Sequence, residues 1–479
     1  MRVRLLAVLV IFFHTALAAA EEPAAPRRLD WDTGENRSYY IPALEITGFV
    51  FSLNAINRVL IGGSDYDSDG ESFERNLKTA PVYDKDPFSI NQIGHPYQGG
   101  IYYGFARSAG LEYWESLLYT LAGSFLWETW GETTPPSVND YISTAIGGSF
   151  VGEALFRMAS LLLEGGGESP GFWRELGAAV ISPPTGFNRL VFGERFKPVF
   201  PSRDPEIFIR LRLGATITSN ITNDDLPNDA RRQEASLEYA IAYGLPGKPG
   251  YRYRRPFDYF QFEFTAVPNA DSVGNAIENF TMRGLLVGDA YEWGPDYRGL
   301  WGLFGSYEYL SPQVFRLAAT SVSFGTIGQW WLSRTIALQG TVLGGVGFGA
   351  SGTVADPEER DYHYGVIPSA LVGLRLIFGE RALLEGTLRQ YFVAGVSSGG
   401  GGSSDSFGPE NVTRGNVGLT LRLFGPHALG LSYVVSTRDA RFPDRRDRHQ
   451  SVETVTLSYN FLGHTRFGAT EWRPAELAR

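Results

Sequence analysis

From residue 205 to residue 462 apolar and polar residues alternate with a period of two, in about twelve separate runs. That period belongs to extended chain, because successive side chains of a strand point to opposite faces. In 416–424, Val417, Leu419, Leu421 and Leu423 face one way, and Asn416, Gly418, Thr420 and Arg422 the other. In 454–461, Val455, Leu457, Tyr459 and Phe461 alternate with Thr454, Thr456, Ser458 and Asn460; in 259–266, Phe260, Phe262 and Phe264 alternate with Gln261, Glu263 and Thr265. The same pattern predicts strands over 207–216, 235–243, 301–309, 336–342, 369–377, 384–392 and 429–435, with less regular ones over 280–287 and 314–324. Long polar links follow the first, third, seventh, ninth and eleventh runs, centred on 220–233, 268–278, 349–362, 395–414 and 437–450. Tight links follow the eighth and tenth, at Gly379-Glu380-Arg381 and Gly425-Pro426-His427. The link after the fifth reads as short, and those after the second, fourth and sixth as longer than about ten residues. An even strand number with long loops on one side suits a transmembrane barrel. Two packed sheets of a soluble sandwich can alternate in the same way.

The start of the chain favours the barrel. Arg2 and Arg4 precede the apolar run 5–13, and Ala16-Leu17-Ala18 and Ala18-Ala19-Ala20 offer small residues for cleavage before Glu21. This is the pattern of a cleaved secretory signal over 1–20, with an apolar run too short to span a bilayer. The 479 residues include no cysteine, which excludes a lipoprotein anchor, a disulfide scaffold and thiol catalysis. A formal charge of -10 excludes a general nucleic-acid binder, since phosphate affinity needs an excess of Lys and Arg. The expected fold is therefore mainly β: an antiparallel transmembrane barrel of about twelve strands over 205–462, preceded by an α-helical region. Its expected partners are outer-membrane lipid and, during biogenesis, the barrel-assembly machinery.

The remainder divides into an N-terminal segment (21–84), a helical region (85–182), a linker (183–204) and a C-terminal tail (463–479). Helical stretches are expected over 41–60 and 112–130, and over 141–164 behind the cap Ser137-x-x-Asp140. Gly148 and Gly152 stand four apart and allow another backbone to approach closely. Glu115, Glu128, Glu153 and Arg157 interrupt these stretches at about 2.5–3.5 kcal/mol per central charge in lipid, so none reads as a spanning helix. The helical region is expected in the periplasm or as a plug in the lumen. Asp65, Asp67, Asp69 and Gly70 repeat the first half of a calcium loop, but its twelfth position is Asn76 instead of Glu, which leaves an acidic solvated loop. No metal site and no cofactor motif is expected. The glycines at 399–402 read as a flexible loop tip, and the mixed charges of 441–448 as a solvated loop or a contact for lipopolysaccharide phosphates.

The most distinctive stretch is Asp86-Pro87-Phe88-Ser89-Ile90-Asn91-Gln92-Ile93-Gly94-His95-Pro96-Tyr97-Gln98-Gly99. With Ala106-Arg107-Ser108, Trp114-Glu115-Ser116, Trp127-Glu128, Ser137-x-Asn139-Asp140 and Gly152-Glu153-Ala154, it resembles an uncharacterised family of Gram-negative exported proteins, the domain of unknown function 3943. The resemblance covers roughly 85–180 and implies an envelope protein with a helical segment before a barrel; it implies no activity. Outer-membrane barrels usually end on an aromatic, whereas this chain closes Glu476-Leu477-Ala478-Arg479.

Two sets of residues could carry function. In the helical region His95 stands among Asn91, Gln98, Ser108, Glu115, Glu128, Asp140, Glu153 and Arg157. His95 with Ser108 and Glu115 would suit acyl transfer or ester hydrolysis on an envelope lipid or glycan. No G-x-S-x-G surrounds Ser108, and the same polar set could simply satisfy turns and helix contacts. Glu153 and Arg157, four apart, read as a surface or interhelical pair. In the strands, Arg210, Arg212, Glu238, Glu263, Arg283, Glu308, Arg375, Glu385, Arg389 and Arg422 fall on the polar face. Such mixed charges either line a narrow aqueous channel or knit the interior shut. Two functions follow: a role in envelope structure or small-solute passage, or a barrel-anchored enzyme acting through His95 and nearby carboxylates.

Overall fold

A computed structural model describes residues 27–84, 86–223, 232–267, 276–354, 359–398, 408–443, 446–464 and 466–470. The signal segment and the glycine tip at 399–402 lie outside this set.

Twelve antiparallel strands close on themselves, each bonded to its sequence neighbours, with the first bonded to the last. They are β1 (Ile207–Asn223), β2 (Arg232–Tyr243), β3 (Phe260–Ala266), β4 (Ile277–Trp293), β5 (Tyr297–Leu310), β6 (Phe315–Trp331), β7 (Ile336–Thr353), β8 (Tyr362–Phe378), β9 (Ala382–Ser398), β10 (Pro409–Phe424), β11 (His427–Ala440) and β12 (Arg448–Leu462). The seam pairs Arg210 with Leu462 and Thr218 with Thr454. All twelve expected strands are present, and most are longer than their alternating runs. Extension shortens the links after β4 and β6 to 294–296 and 332–335, where long ones were expected. The alternation fades in these extensions because both faces carry small residues, such as Gly344, Gly345, Gly347 and Gly349 of β7, which still pair with β6 and β8. Even-numbered links therefore form a short-turn end, on which only 244–259 is long.

The barrel has a packed interior. At the short-turn end Phe208, Leu300, Phe304, Ile327 and Leu371 are buried together with Phe467 of the tail. The tail is held there by Arg375 Nη2 on the Phe467 carbonyl (2.9 Å), Gln339 Nε2 on the Gly468 carbonyl (3.1 Å) and Gln329 Nε2 on Thr470 Oγ1 (2.8 Å). At the other end Leu310, Phe315, Leu317, Ile367, Val412 and Val452 form a second apolar layer. Between the two lies a layer of charge.

The helices are α1 (Tyr40–Leu60), α2 (Gly70–Lys78), α3 (His95–Ser108), α4 (Tyr113–Leu126), α5 (Val138–Glu164), α6 (Phe172–Ile181) and α7 (Pro183–Val191), the last inside the expected linker. Asp69 caps α2 through Ser72 and Asp67 pairs with Arg58 at 3.2 Å, so the acidic loop is used as a helix start. Buried Ile46 and Val50 of α1 pack on Tyr102 and Phe105 of α3 and on Trp127. The closest approach is between α3 and α5: a Cβ on Gly152 would meet the Tyr103 side chain at 2.8 Å and the Gly100 carbonyl at 3.0 Å.

These helices rest on the outer surface of the barrel, outside the lumen. Tyr307 and Tyr309 share the outward face of β5 with Trp301 and Leu303, which are exposed, yet both tyrosines are buried. They lie in one apolar cluster with Phe88, Tyr103, Tyr113, Phe150 and Met158 of the helical layer and with outward-facing Ile241, Phe260, Met282 and Tyr364. A Cβ on Gly305 would strike Phe150 at 2.5 Å, and Tyr83 stacks on Phe348 and Tyr364. Helix α5 begins beside β6, where Gly147 faces Thr320, and ends near the short-turn end, where Arg157 meets Asp258. It is one continuous helix of 27 residues, apolar and long enough to cross a membrane by length and composition, contrary to the sequence expectation. Its charges Glu153 and Arg157 are buried against protein.

Candidate functional site

The polar strand faces do converge in the lumen. Arg210 and Arg212 of β1 pair with Glu238 of β2 at 2.9 and 2.8 Å, and reach across to Glu385 of β9 at 2.5 and 3.4 Å. Arg375 approaches Glu385 at 3.7 Å and Arg389 approaches Glu263 at 3.8 Å. Glu308 takes hydrogen bonds from Arg283 and from Tyr391 on β9. Every expected lumen charge but one thus belongs to a cross-barrel mesh that links β1, β2, β3, β4, β5, β8 and β9. Arg422 is the exception: it sits at the short-turn rim, giving hydrogen bonds to the Glu380 and His464 carbonyls (2.7 and 2.8 Å) with Phe467 beneath it. Its place two residues before the β10–β11 turn puts it beyond the ionic layer. A cavity of about 150 Å³ remains inside the mesh, lined by Arg210, Glu263, Arg283, Glu385 and Arg389 among others. At about 30 Å³ per molecule, it would hold a few waters.

In the helical layer the expected set separates into four places. Ser108 donates to the Gly104 carbonyl (2.6 Å) and accepts from Asn188 Nδ2 (2.8 Å), which ties α3 to α7. Glu115 caps α4 through the Glu112 amide (2.8 Å) and accepts from Tyr39 Oη (2.8 Å) at the exposed edge. Neither meets His95, so the arrangement His95–Ser108–Glu115 is not assembled. The cause is helical geometry: His95 and Ser108 are the first and last of the 14 residues of α3 and stand at opposite ends of the helix. Gln98 turns along α3 to Tyr102 Oη at 2.5 Å.

Glu153 and Arg157 lie in the third place, and both are fully buried. Glu153 accepts from Arg107 Nε (2.9 Å), Arg157 Nε (2.7 Å) and Tyr103 Oη (2.9 Å), and Arg157 Nη1 continues to Asp258 (3.1 Å). Arg107 also lies over Phe200 and Phe156. This chain locks α3, α5 and the 244–259 connection together; Arg107 stood within the sequence motif, while Asp258 carried no signal. Burial works against the Asp258 carboxylate, but the guanidiniums of Arg157 and Arg255 outweigh it and hold the group below its ordinary value.

His95 meets Glu128 and Asp140 in the fourth place. One ligand-type atom from each lies within 4.8 Å of the others, and all three residues are buried. His95 Nε2 is 3.6 Å from Asp140 Oδ1, and its Nδ1 is 3.1 Å from Thr144 Oγ1. Glu128 Oε2 accepts from the Ser137 amide at 2.7 Å, and Asp140 Oδ1 from Asn139 Nδ2 at 3.0 Å. Asn91 joins Asp84 (2.8 Å) to the hydroxyls of Tyr362 and Tyr364 on β8 (3.1 and 2.9 Å), while the Asp84 amide donates to Asn139 Oδ1 at 2.8 Å. Each helix supplying the cluster is widened there into a π turn: Ile90–Gly94 before His95, Trp127–Gly131 around Glu128, and Tyr141–Gly147 after Asp140. Such turns shift side-chain direction by one residue and gather at functional sites. Sequence reading named His95, Glu128 and Asp140 but gave no reason to group them, because the π turns that align them have no composition signature.

No curated protein matches the chain. Among solved structures, the Pseudomonas putida toluene transporter TodX is 9% identical, with 55% of this chain and 91% of that one covered and a TM-score of 0.22. The NanC porin is 7% identical over 52% and 98%, with a TM-score of 0.25. An anion-selective porin from Comamonas acidovorans is 8% identical over 53% and 98%, with a TM-score of 0.20. At such scores the barrel rests on this chain's own closed pairing. Residues 80–184 match the family described as Domain of unknown function (DUF3943), and this matched stretch contains α3 to α6 of the helical layer.

Proposed function

We propose that this is an outer-membrane protein of a Gram-negative envelope whose barrel acts as a wall for a membrane-embedded helical layer, a role in envelope structure. The observation that carries this reading is the burial of outward-facing Tyr307, Tyr309, Phe260 and Tyr364 beneath the helices. Elsewhere around the barrel the equivalent outward residues are exposed and apolar, among them Val417, Leu431 and Leu457. The apolar surface continues onto the helices, where Leu44 and Phe51 of α1 and Trp114, Leu118 and Phe125 of α4 are exposed. An apolar surface of this extent is matched by lipid and costs free energy in water. The buried charges of α3 and α5 are satisfied by one another, which is what the hydrocarbon region requires.

In this reading the signal segment is cleaved after export, the barrel-assembly machinery inserts the chain, and 441–448 faces lipopolysaccharide. Small-solute passage fits the interior less well, since ion pairs cross it and the tail fills one mouth. The test is fractionation combined with heat-modifiable migration and single-channel recording of the full-length protein. Outer-membrane recovery, a heat-dependent shift and no steady conductance are expected. Recovery as a soluble periplasmic protein would overturn the membrane placement, and a steady open channel would overturn the wall.

A further inference from the structure

We propose that His95, Glu128 and Asp140 bind one divalent transition-metal cation. The proposal concerns the helical layer alone and stands whether or not the barrel conducts. Four observations point the same way.

The first is geometry. Zinc-type cations hold imidazole nitrogen and carboxylate oxygen at about 2.0–2.2 Å, which places neighbouring ligands about 3.3 Å apart in a tetrahedron. The His95 Nε2 to Asp140 Oδ1 separation is 3.6 Å, and the three ligand atoms fall within 4.8 Å, so small rotations complete the set.

The second is an unused acceptor. Glu128 is 1% exposed, and with Oε2 engaged by the Ser137 amide, its Oε1 is buried without a hydrogen-bond partner. Buried acceptors in folded proteins are otherwise paired.

The third is charge. Glu153 is held between Arg107 and Arg157, whereas among the described residues no Lys or Arg pairs with Glu128 or Asp140. Asp84, Asp86 and Glu132 stand close enough to act on the same centre, so its field draws a cation inward. Two buried carboxylates that share one imidazole and no Lys or Arg call for either a metal or a proton.

The fourth is the support behind the ligands. Thr144 fixes the His95 ring through Nδ1 and Asn139 fixes Asp140, as outer partners do at metal centres. In the tautomer that donates Nδ1–H to Thr144 Oγ1, Nε2 presents its lone pair to Asp140 and Glu128. The imidazole favours zinc or iron over calcium, and the two carboxylates extend the range to manganese. Three protein ligands leave one coordination position open, the arrangement of reactive centres as opposed to closed structural ones.

The experiment uses the full-length chain in detergent, stripped with chelator and titrated separately with Zn²⁺, Mn²⁺ and Ca²⁺. Metal content and melting temperature are read together. One Zn²⁺ or Mn²⁺ per chain, with a rise in melting temperature and at least about tenfold weaker Ca²⁺ binding, is expected. Glu128→Gln should weaken uptake at least about tenfold, and Thr144→Val, which keeps all three ligands, about 10–100-fold. The titration of the unaltered protein decides the matter even if a variant fails to fold. Absence of stoichiometric uptake overturns the proposal, as does uptake unchanged by both substitutions; preferential Ca²⁺ binding overturns the metal class. A shared-proton cluster would show no uptake and a higher melting temperature in Glu128→Gln, and that result also overturns it.

Discussion

A Cβ placed on Gly99 would lie 1.7 Å from the Thr144 carbonyl oxygen. The α3 backbone therefore touches the α5 backbone at the residue whose hydroxyl meets His95. Gly148 completes the contact, since its Cβ would lie 2.6 Å from Gly99 Cα. Packing and the polar centre are one arrangement here: α3 cannot move away without withdrawing His95 from Asp140.

Gly99→Ala should loosen the helical layer and leave the barrel closed. Forcing a methyl group into a filled site costs about 1–3 kcal/mol, and more where only backbone can yield. Limited proteolysis should cut within 80–184 while heat-modifiable migration is retained. Equal protease resistance in the variant would count against this contact.

Arg157→Met should destabilise the junction between helices and barrel by about 3–5 kcal/mol, because Glu153 and Asp258 lose a shared buried partner. Denaturant unfolding followed by tryptophan fluorescence gives the measure. A loss under about 1 kcal/mol would place little weight on this pair.

The same junction has a pH dependence with a definite sign. The Asp258 carboxyl is held low, so its contribution is present above the ordinary carboxylate value and is lost as pH falls through the lowered one. Thermal stability should fall as pH drops from about 5 toward about 3, and Asp258→Asn should flatten that part of the profile. Parallel profiles for the two proteins would assign the acid sensitivity elsewhere.

The lumen should stay closed to single changes. Removing 466–479 takes away Phe467 and Thr470 but leaves Arg210, Arg212, Glu238 and Glu385 across the middle. Even the truncation combined with Arg210→Ala and Glu385→Ala leaves the apolar layer of Phe315, Leu317, Ile367 and Val412 in place, so no steady current is expected in a planar bilayer. Steady current from the truncation alone would show that the mesh is not a seal.

The strands were legible because Leu419, Leu421 and Leu423 must share one face whatever they meet, and pairing follows from that face. What covers an outward face was not legible. Tyr459 and Tyr309 carry the same pattern, yet Tyr459 is exposed and Tyr309 lies under Phe88. A lipid tail and a helix are both apolar, so alternation cannot distinguish them. Within the helices, the apolar stretches and the Ser137 cap placed α1, α4 and α5 but not the π turns, and the grouping of His95 with Glu128 and Asp140 depends on those turns. Glu153 and Arg157 read as a surface or interhelical pair because a four-residue spacing carries no information on depth.

The one-sided cover also orders events in time. The seam between β1 and β12 lies on the bare side, where Leu213, Ile217 and Leu457 are exposed. The surface on which the helices rest is made by β2 through β8, hairpins that follow one another along the chain. Docking can thus begin on a sheet that is still open, and the last two edges can meet without any helix having to move aside.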